Sequence, residues 1–200
     1  MSTNLRGDAT RAQILDAAWA LISEKGADVS LSEIAKKVGV TRQALHLHFG
    51  KRGGLLIAMV RRADERANII EAFTDNLSET DPALRLEKHI DIWLDFLPEI
   101  YPVARDLVRL RDTDPDASAA WEDRMSHLRK LTQALTGTLE ADGVLNPNWT
   151  SKDAADYLWT MLSLQSWDLL TRDCAWPEDK VKATLKSQAV TAMTGMRPES

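Results

Sequence analysis

Cysteine is almost missing from this 200-residue chain: Cys174 stands alone, which excludes an internal disulfide framework and fits a reducing cytoplasm. No run of 18 apolar residues occurs, so no membrane span is expected. The first residues, MSTNLRGDATR, contain no apolar core of a secretion signal, and secretion is not expected either. An alternating strand pattern is absent throughout, which leaves an all-α chain. Missing too are a Gly-rich phosphate loop, an HExxH or paired-Cys metal spacing, and a Ser or Cys nucleophile beside a His in a recognisable local motif. His46 and His48 are two apart and point to different sides of a helix, so they do not share a metal. The chain therefore reads as no enzyme, with no cofactor. Cys174 has Arg172 as its one nearby cation, a thin basis for a reactive thiol.

What is present is ordinary in bulk and uneven in distribution. Apolar residues make up 44% and charged residues 28%, a balance usual for globular proteins. The formal net charge is −5, yet residues 1–62 hold ten Lys and Arg against five acids, a net +5. The other 138 residues hold fifteen against twenty-five, a net −10. Such asymmetry points to a basic part that faces nucleic acid and an acidic part with another task.

The most informative stretch is Ser30 to Phe49, SLSEIAKKVGVTRQALHLHF. Ser30 and Glu33 have the spacing of a capping box, so a helix is expected from Leu31. Leu31, Ile34, Ala35 and Val38 give it one apolar face and leave Lys36 and Lys37 in water. Gly39 stands where a helix ends in a left-handed residue, and Thr41 can cap a second helix with Ala44, Leu45 and Phe49 inward. Two helices joined by Val38-Gly39-Val40 describe a helix-turn-helix over 30–49. Its second helix presents Thr41, Arg42, Gln43 and His46 in the first two turns, where DNA-binding members of this motif meet base edges. Arg suits O6 and N7 of guanine, and Gln suits N6 and N7 of adenine. Arg42, Gln43 and His46 are thus the candidate base contacts. Ser30, Thr41, His48, Lys51 and Arg52, at helix ends or in the following loop, are candidate phosphate contacts. His48 also admits a reading as a ring packed between helices.

The flanks add Ile14, Leu15, Ala18, Leu21 and Ile22 on one stripe upstream, and Gly50-Lys51-Arg52 followed by Leu55-Leu56 downstream. This order, ILxAA, a Gly, IA with a GVT turn, then LxxHF and a basic residue before paired Leu, resembles the tetracycline-repressor-like (TetR) family of transcription regulators over roughly residues 10 to 60. The resemblance implies a recognition helix starting at Thr41 and a linking helix from about Gly54 to Phe73. It implies an N-terminal three-helix helix-turn-helix DNA-binding domain over 1–53 and a C-terminal helical bundle over 54–200 that binds an effector and dimerises. Two positions depart from the family pattern: His46 stands where Tyr is usual, and Arg52 where Lys is usual. Gly53-Gly54 is also unusual, since each glycine weakens a helical first turn by roughly 1 kcal/mol relative to Ala.

Beyond residue 80, periodicity and proline predict helices over about Pro82–Leu97 and Val103–Arg111, broken by Pro98 and Pro102. A longer helix follows from Asp114-Pro115 to Gly143, then one from Asp153 to Thr171 and a last from Glu178 to Met193. The helix from Asp153 is apolar in nearly every direction and needs cover on several sides. By family resemblance the last two helices form a homodimer, and a two-fold pair of recognition helices would read two half-sites of a palindromic operator in double-stranded DNA.

Six of the seven tryptophans lie in the acidic part. Trp93, Phe96, Trp121, Met125, His127, Trp159 and Trp167 are candidates to line an effector pocket, with His89, Gln165 or Arg109 as polar handles. The function expected is a repressor released from its operator by a small apolar or aromatic effector. The competing reading is a helical ligand carrier or protein-interaction module in which the hairpin is structural.

Overall fold

The structure is a computed structural model and describes residues 2–194, with side chains from Thr10 onward. It is all-α, with no strand among the described residues. The helices are α1 (Ser2–Lys25), α2 (Leu31–Val38), α3 (Arg42–Phe49), α4 (Arg52–Arg66), α5 (Ile69–Asn76), α6 (Pro82–Leu110), α7 (Pro115–Ala141), α8 (Ser151–Met161), α9 (Leu164–Asp168) and α10 (Glu178–Thr194). A π-turn over Leu169–Asp173 follows α9. No helix among the described residues is long and apolar enough to cross a membrane.

Two compact units emerge, one of the chain up to Ala67 with Ile100–Met125, the other of Asn68–Glu99 with the chain from Ser126. In the first unit the expected stripe of α1, Ile14, Leu15, Ala18, Leu21 and Ile22, is buried. It packs with Ile34, Ala35, Leu45, Leu55, Leu56 and Met59, and with Val103, Leu107, Ala117 and Ala120 from the end of α6 and the start of α7. In the second unit Leu86, Ile90, Leu94, Leu135, Leu139, Leu158, Val181 and Leu185 are buried. Lys186 bridges Asp91 at 2.7 Å and Glu87 at 3.4 Å, and Lys182 reaches Asp95 at 2.7 Å, fastening α10 to α6. The end of α10 is capped from the loop before α8: Asn146 N–H donates to the Met193 carbonyl at 2.6 Å, and the Trp149 indole donates to the Ala192 carbonyl at 2.9 Å. These donors satisfy carbonyls that a helix end leaves without partners.

Three expected boundaries differ. Pro98 and Pro102 do not end α6, which runs unbroken to Leu110. Each proline deprives the carbonyl four residues earlier of a donor, but Leu94 and Leu97 before them and Val103 and Leu107 after them are buried, and packing outweighs the lost bonds. The helix expected over 54–73 is two helices, because Asn68 adopts φ 51°, ψ 31° between α4 and α5, a left-handed conformation that Asn tolerates. The helix expected over 153–171 stops at Met161. There the Ser163 hydroxyl accepts from the Ser166 N–H at 3.2 Å, the donor that a continuous helix would give to the Leu162 carbonyl. The freed Leu162 carbonyl instead accepts from the Trp93 indole N–H at 2.6 Å.

Candidate nucleic-acid interface

The helix-turn-helix forms for local reasons. The Ser30 hydroxyl accepts from the Glu33 N–H at 3.3 Å, and Glu33 Oε2 accepts from the Ser30 N–H at 2.9 Å, closing the capping box. The bond from the Ser30 N–H, and after it one of 2.8 Å that the Ser30 hydroxyl donates to the same oxygen, hold the Glu33 carboxyl below its ordinary range. Gly39 takes φ 78°, ψ 26°, and the N–H groups of Gly39 and Val40 both donate to the Ala35 carbonyl at 3.0 Å. The Thr41 hydroxyl accepts from the Ala44 N–H at 3.1 Å and starts α3. Leu45 is buried, and Phe49 is packed against the core with the Arg11 guanidinium 5.2 Å from its ring centre.

Pinned by Leu45 and Phe49, α3 turns Arg42, Gln43, His46 and Leu47 outward. All four are exposed, and Arg42, Gln43 and His46 make no side-chain hydrogen bond within the described residues. Leu47 is 81% exposed, more than any other large apolar side chain described. Its exposure is hidden in the sequence, where it reads as one of the apolar residues of LHLHF; only its distance from Leu45 and Phe49 around the helix betrays it. His48 is half-buried, its ring 6.0 Å from that of Phe49, while Lys51 is exposed.

Arg52, expected at a phosphate, faces inward. Its guanidinium donates to Asp114 Oδ2 at 2.6 Å and to the Ala27 carbonyl. Burial raises Asp114, but hydrogen bonds from the Ala117 N–H and Arg52 outweigh it and hold the carboxyl below its usual range. The Ala27 N–H donates in turn to buried Asp106 at 2.9 Å, and Arg109 pairs with Asp28 at 2.9 Å. The loop between α1 and α2 is thereby fixed at the backbone N–H and carbonyl of Ala27 and at the Asp28 carboxylate. Arg61 pairs with Asp123, and Arg62 grips Asp16 with two bonds of 2.8 and 3.0 Å. Arg52, Arg61 and Arg62 are paired with carboxylates of this unit, whereas Lys36, Lys37, Arg42 and Lys51, on α2, on α3 and just after α3, are exposed.

The glycine pair has a structural cause. A Cβ on Gly54 would lie far inside van der Waals contact of the Phe49 carbonyl oxygen, and one on Gly53 would lie 2.5 Å from Asp116 Oδ1. At Gly54 the turn from α3 into α4 is closed against backbone, so that only hydrogen fits, whereas at Gly53 the obstacle is a side chain.

At the other end of α4, buried Asp64 pairs with Arg124 of α7. Burial pushes the Asp64 carboxyl up to about 6, against the lowering pull of Arg124. The folded protein thus keeps this proton to a higher pH than an unfolded chain, whose carboxyl titrates near 3.8. The contribution to stability is greatest below that value and is lost as pH rises through 6, a change of about 3 kcal/mol. Asp64→Asn removes the titration, so urea midpoints measured between pH 4 and 7 should show the wild type losing ground to the variant as pH rises. Parallel pH curves would refute this assignment.

The residues considered for an effector pocket are dispersed. Trp93 and Phe96 are buried in the second unit with ring centres 6.3 Å apart, and Trp167 is buried in the same unit. Trp159 is half-buried under the Arg129 guanidinium, and His127 is exposed. Trp121 and Met125 belong to the first unit, where Trp121 packs on its core. Of the polar handles, His89 is buried against Phe73 with ring centres 4.4 Å apart, and burial lowers its imidazole to about 3, so it is neutral. Gln165 is exposed, and Arg109 is engaged with Asp28. Cys174 is exposed.

Comparison with known proteins adds the following. Residues 14–59 match the family model described as bacterial regulatory proteins, tetR family. No curated protein matches the chain. Similar solved structures include a TetR transcription regulator from Haloarcula marismortui (TM-score 0.74, 19% identity, covering 94% of this chain and 98% of that one). Another is the fatty acid degradation regulator FadR from Bacillus halodurans (TM-score 0.73, 18% identity, 91% and 98%). A third is NalD of Pseudomonas aeruginosa, the secondary repressor of the MexAB-OprM multidrug efflux pump (TM-score 0.67, 22% identity, 94% and 98%).

Proposed function

We propose, from the match of residues 14–59 to the family model of bacterial regulatory proteins, tetR family, that this chain is a dimeric repressor whose operator is a palindrome read by α3. The observation that carries the reading is the outward row of Arg42, Gln43 and His46, without side-chain hydrogen bonds among the described residues, on a helix whose other face is locked into a core. Arg42 bonds guanine and Gln43 bonds adenine. Ser30, Thr41, His48 and Lys51 hold phosphates, and Arg52 anchors the start of α4 instead. The two copies associate through the last helices, a reading supported by Tyr157 and Leu169, which are exposed there. A small apolar or aromatic effector bound among the tryptophans of the C-terminal part displaces α4 and weakens DNA binding. Such coupling is typically about 1 to 3 kcal/mol, roughly 5- to 150-fold in affinity.

Selection of bound duplexes from a random library tests this. The expected product is an inverted repeat with half-sites about 34 to 36 Å apart, bound with an affinity that falls steeply with salt. Arg42→Ala and Gln43→Ala should each lower that affinity about 5- to 150-fold, the loss of one bidentate base contact. No enriched sequence, or affinity indifferent to both substitutions, would leave a helical ligand carrier with a structural hairpin.

A further inference from the structure

We infer that Leu47 is a specificity-determining residue that reads the C5 methyl group of a thymine in the operator. The inference rests on the proposed DNA-reading role of α3 and extends it to a residue of different chemistry. Leu47 is 81% exposed, although its neighbours in the same helix, Leu45 and Phe49, are held by the core. An exposed leucine of this degree has no packing role within the described residues. Its surroundings are not those of an apolar docking surface: Arg42, Gln43 and His46 on the same helix and Lys51 just after it are all exposed, polar or basic. That setting suits a polyanion whose surface carries an isolated apolar feature. The major groove of DNA has one such feature, the thymine methyl.

The register agrees. Leu47 lies four residues after Gln43, so the two side chains are neighbours on one face, one turn apart. Gln43 pairs with the N6 and N7 edge of adenine, and the same base pair presents O4 and the methyl of its thymine in the same groove. A leucine one turn along from Gln43 is placed to cover that methyl or the one on the next base pair. The contact discriminates thymine from cytosine, which lacks the methyl, and does so without a hydrogen bond.

Deoxyuridine in place of thymine deletes only the methyl and isolates the contact. Each thymine of a half-site in the selected duplex is replaced in turn, and the full-length protein and Leu47→Ala are titrated against the set. For the wild type, one or two positions per half-site should weaken binding about fourfold, equivalent to ~0.8 kcal/mol for one apolar carbon returned to water. Leu47→Ala should bind thymine and deoxyuridine duplexes equally at those positions. Its melting temperature should be unchanged or higher, since the side chain is solvent-exposed on a helix. A wild type blind to deoxyuridine at every thymine, or a Leu47→Ala variant with undiminished methyl sensitivity, overturns the inference while leaving the DNA-reading role intact. Failure to select any duplex overturns both.

Discussion

Gly54→Ala is expected to destabilise the first unit by about 2 to 3 kcal/mol, the cost of forcing extra volume into a packed site, and to weaken operator binding with it. Helix propensity alone argues the reverse, since alanine favours a helical first turn by roughly 1 kcal/mol over glycine. The opposing effect is steric and larger. The methyl would be driven into the Phe49 carbonyl oxygen, which is backbone and cannot swing aside as a side chain can. Either the end of α3 or the start of α4 must move. Leu45 and Leu55 hold both helices in one core, so a displacement of either disturbs the helix proposed to face DNA. Urea denaturation and operator titration of Gly54→Ala together measure this. Gly53→Ala provides the contrast, because its obstacle is the Asp116 side chain, which can rotate away. Increased stability of Gly54→Ala with unaltered DNA affinity would show that the turn is not sterically closed.

The second large effect concerns Trp93. Trp93→Ala is expected to cost about 3 to 5 kcal/mol, as usual for truncating a buried aromatic. Trp93→Phe keeps most of the volume but removes the indole N–H, and should still cost about 1 to 3 kcal/mol. The reason is particular to the break after α8. The Ser166 N–H that would serve the Leu162 carbonyl is taken by the Ser163 hydroxyl, so the carbonyl depends on Trp93. Urea midpoints of both variants test the assignment. A Trp93→Phe variant as stable as the wild type would mean that the indole bond contributes nothing and that Trp93 acts by volume alone. The same bond engages the indole N–H, the polar group of the Trp93 side chain, so the proposed effector role would leave this residue only its ring to offer.

What the sequence disclosed and what it concealed divide by distance along the chain. The capping box of Ser30 and Glu33, the left-handed Gly39 and the Thr41 cap involve groups within four residues of one another, and residue types suffice to infer them. The buried stripe of α1 follows from periodicity. Arg52 meets Asp114 62 residues away, and Trp93 meets Leu162 69 residues away, where no local pattern reports the partner. The prolines of α6 misled for the same reason: their local penalty is legible, while the buried residues on either side that offset it are not. Propensity, the only property of Gly53 and Gly54 visible in sequence, argues for a weak first turn of α4; the carbonyl and carboxylate against them make the junction tight. Within the candidate interface, the exposure of Arg42, Gln43 and His46 was legible from their polarity and their place at the start of α3, whereas that of Leu47 was not, because an apolar residue in a helix is ordinarily buried.

The central claim is that the outward face of α3 reads base sequence. A loss-of-contact titration tests it most directly: the selected operator, changed one base pair at a time, is titrated with the wild type, Arg42→Ala and Gln43→Ala. A base pair whose change costs the wild type about 1 to 3 kcal/mol should cost the variant lacking its reader almost nothing, while the other positions keep their full effect. Equal penalties for the wild type and both variants at every position would contradict the claim and assign these side chains to something other than base recognition.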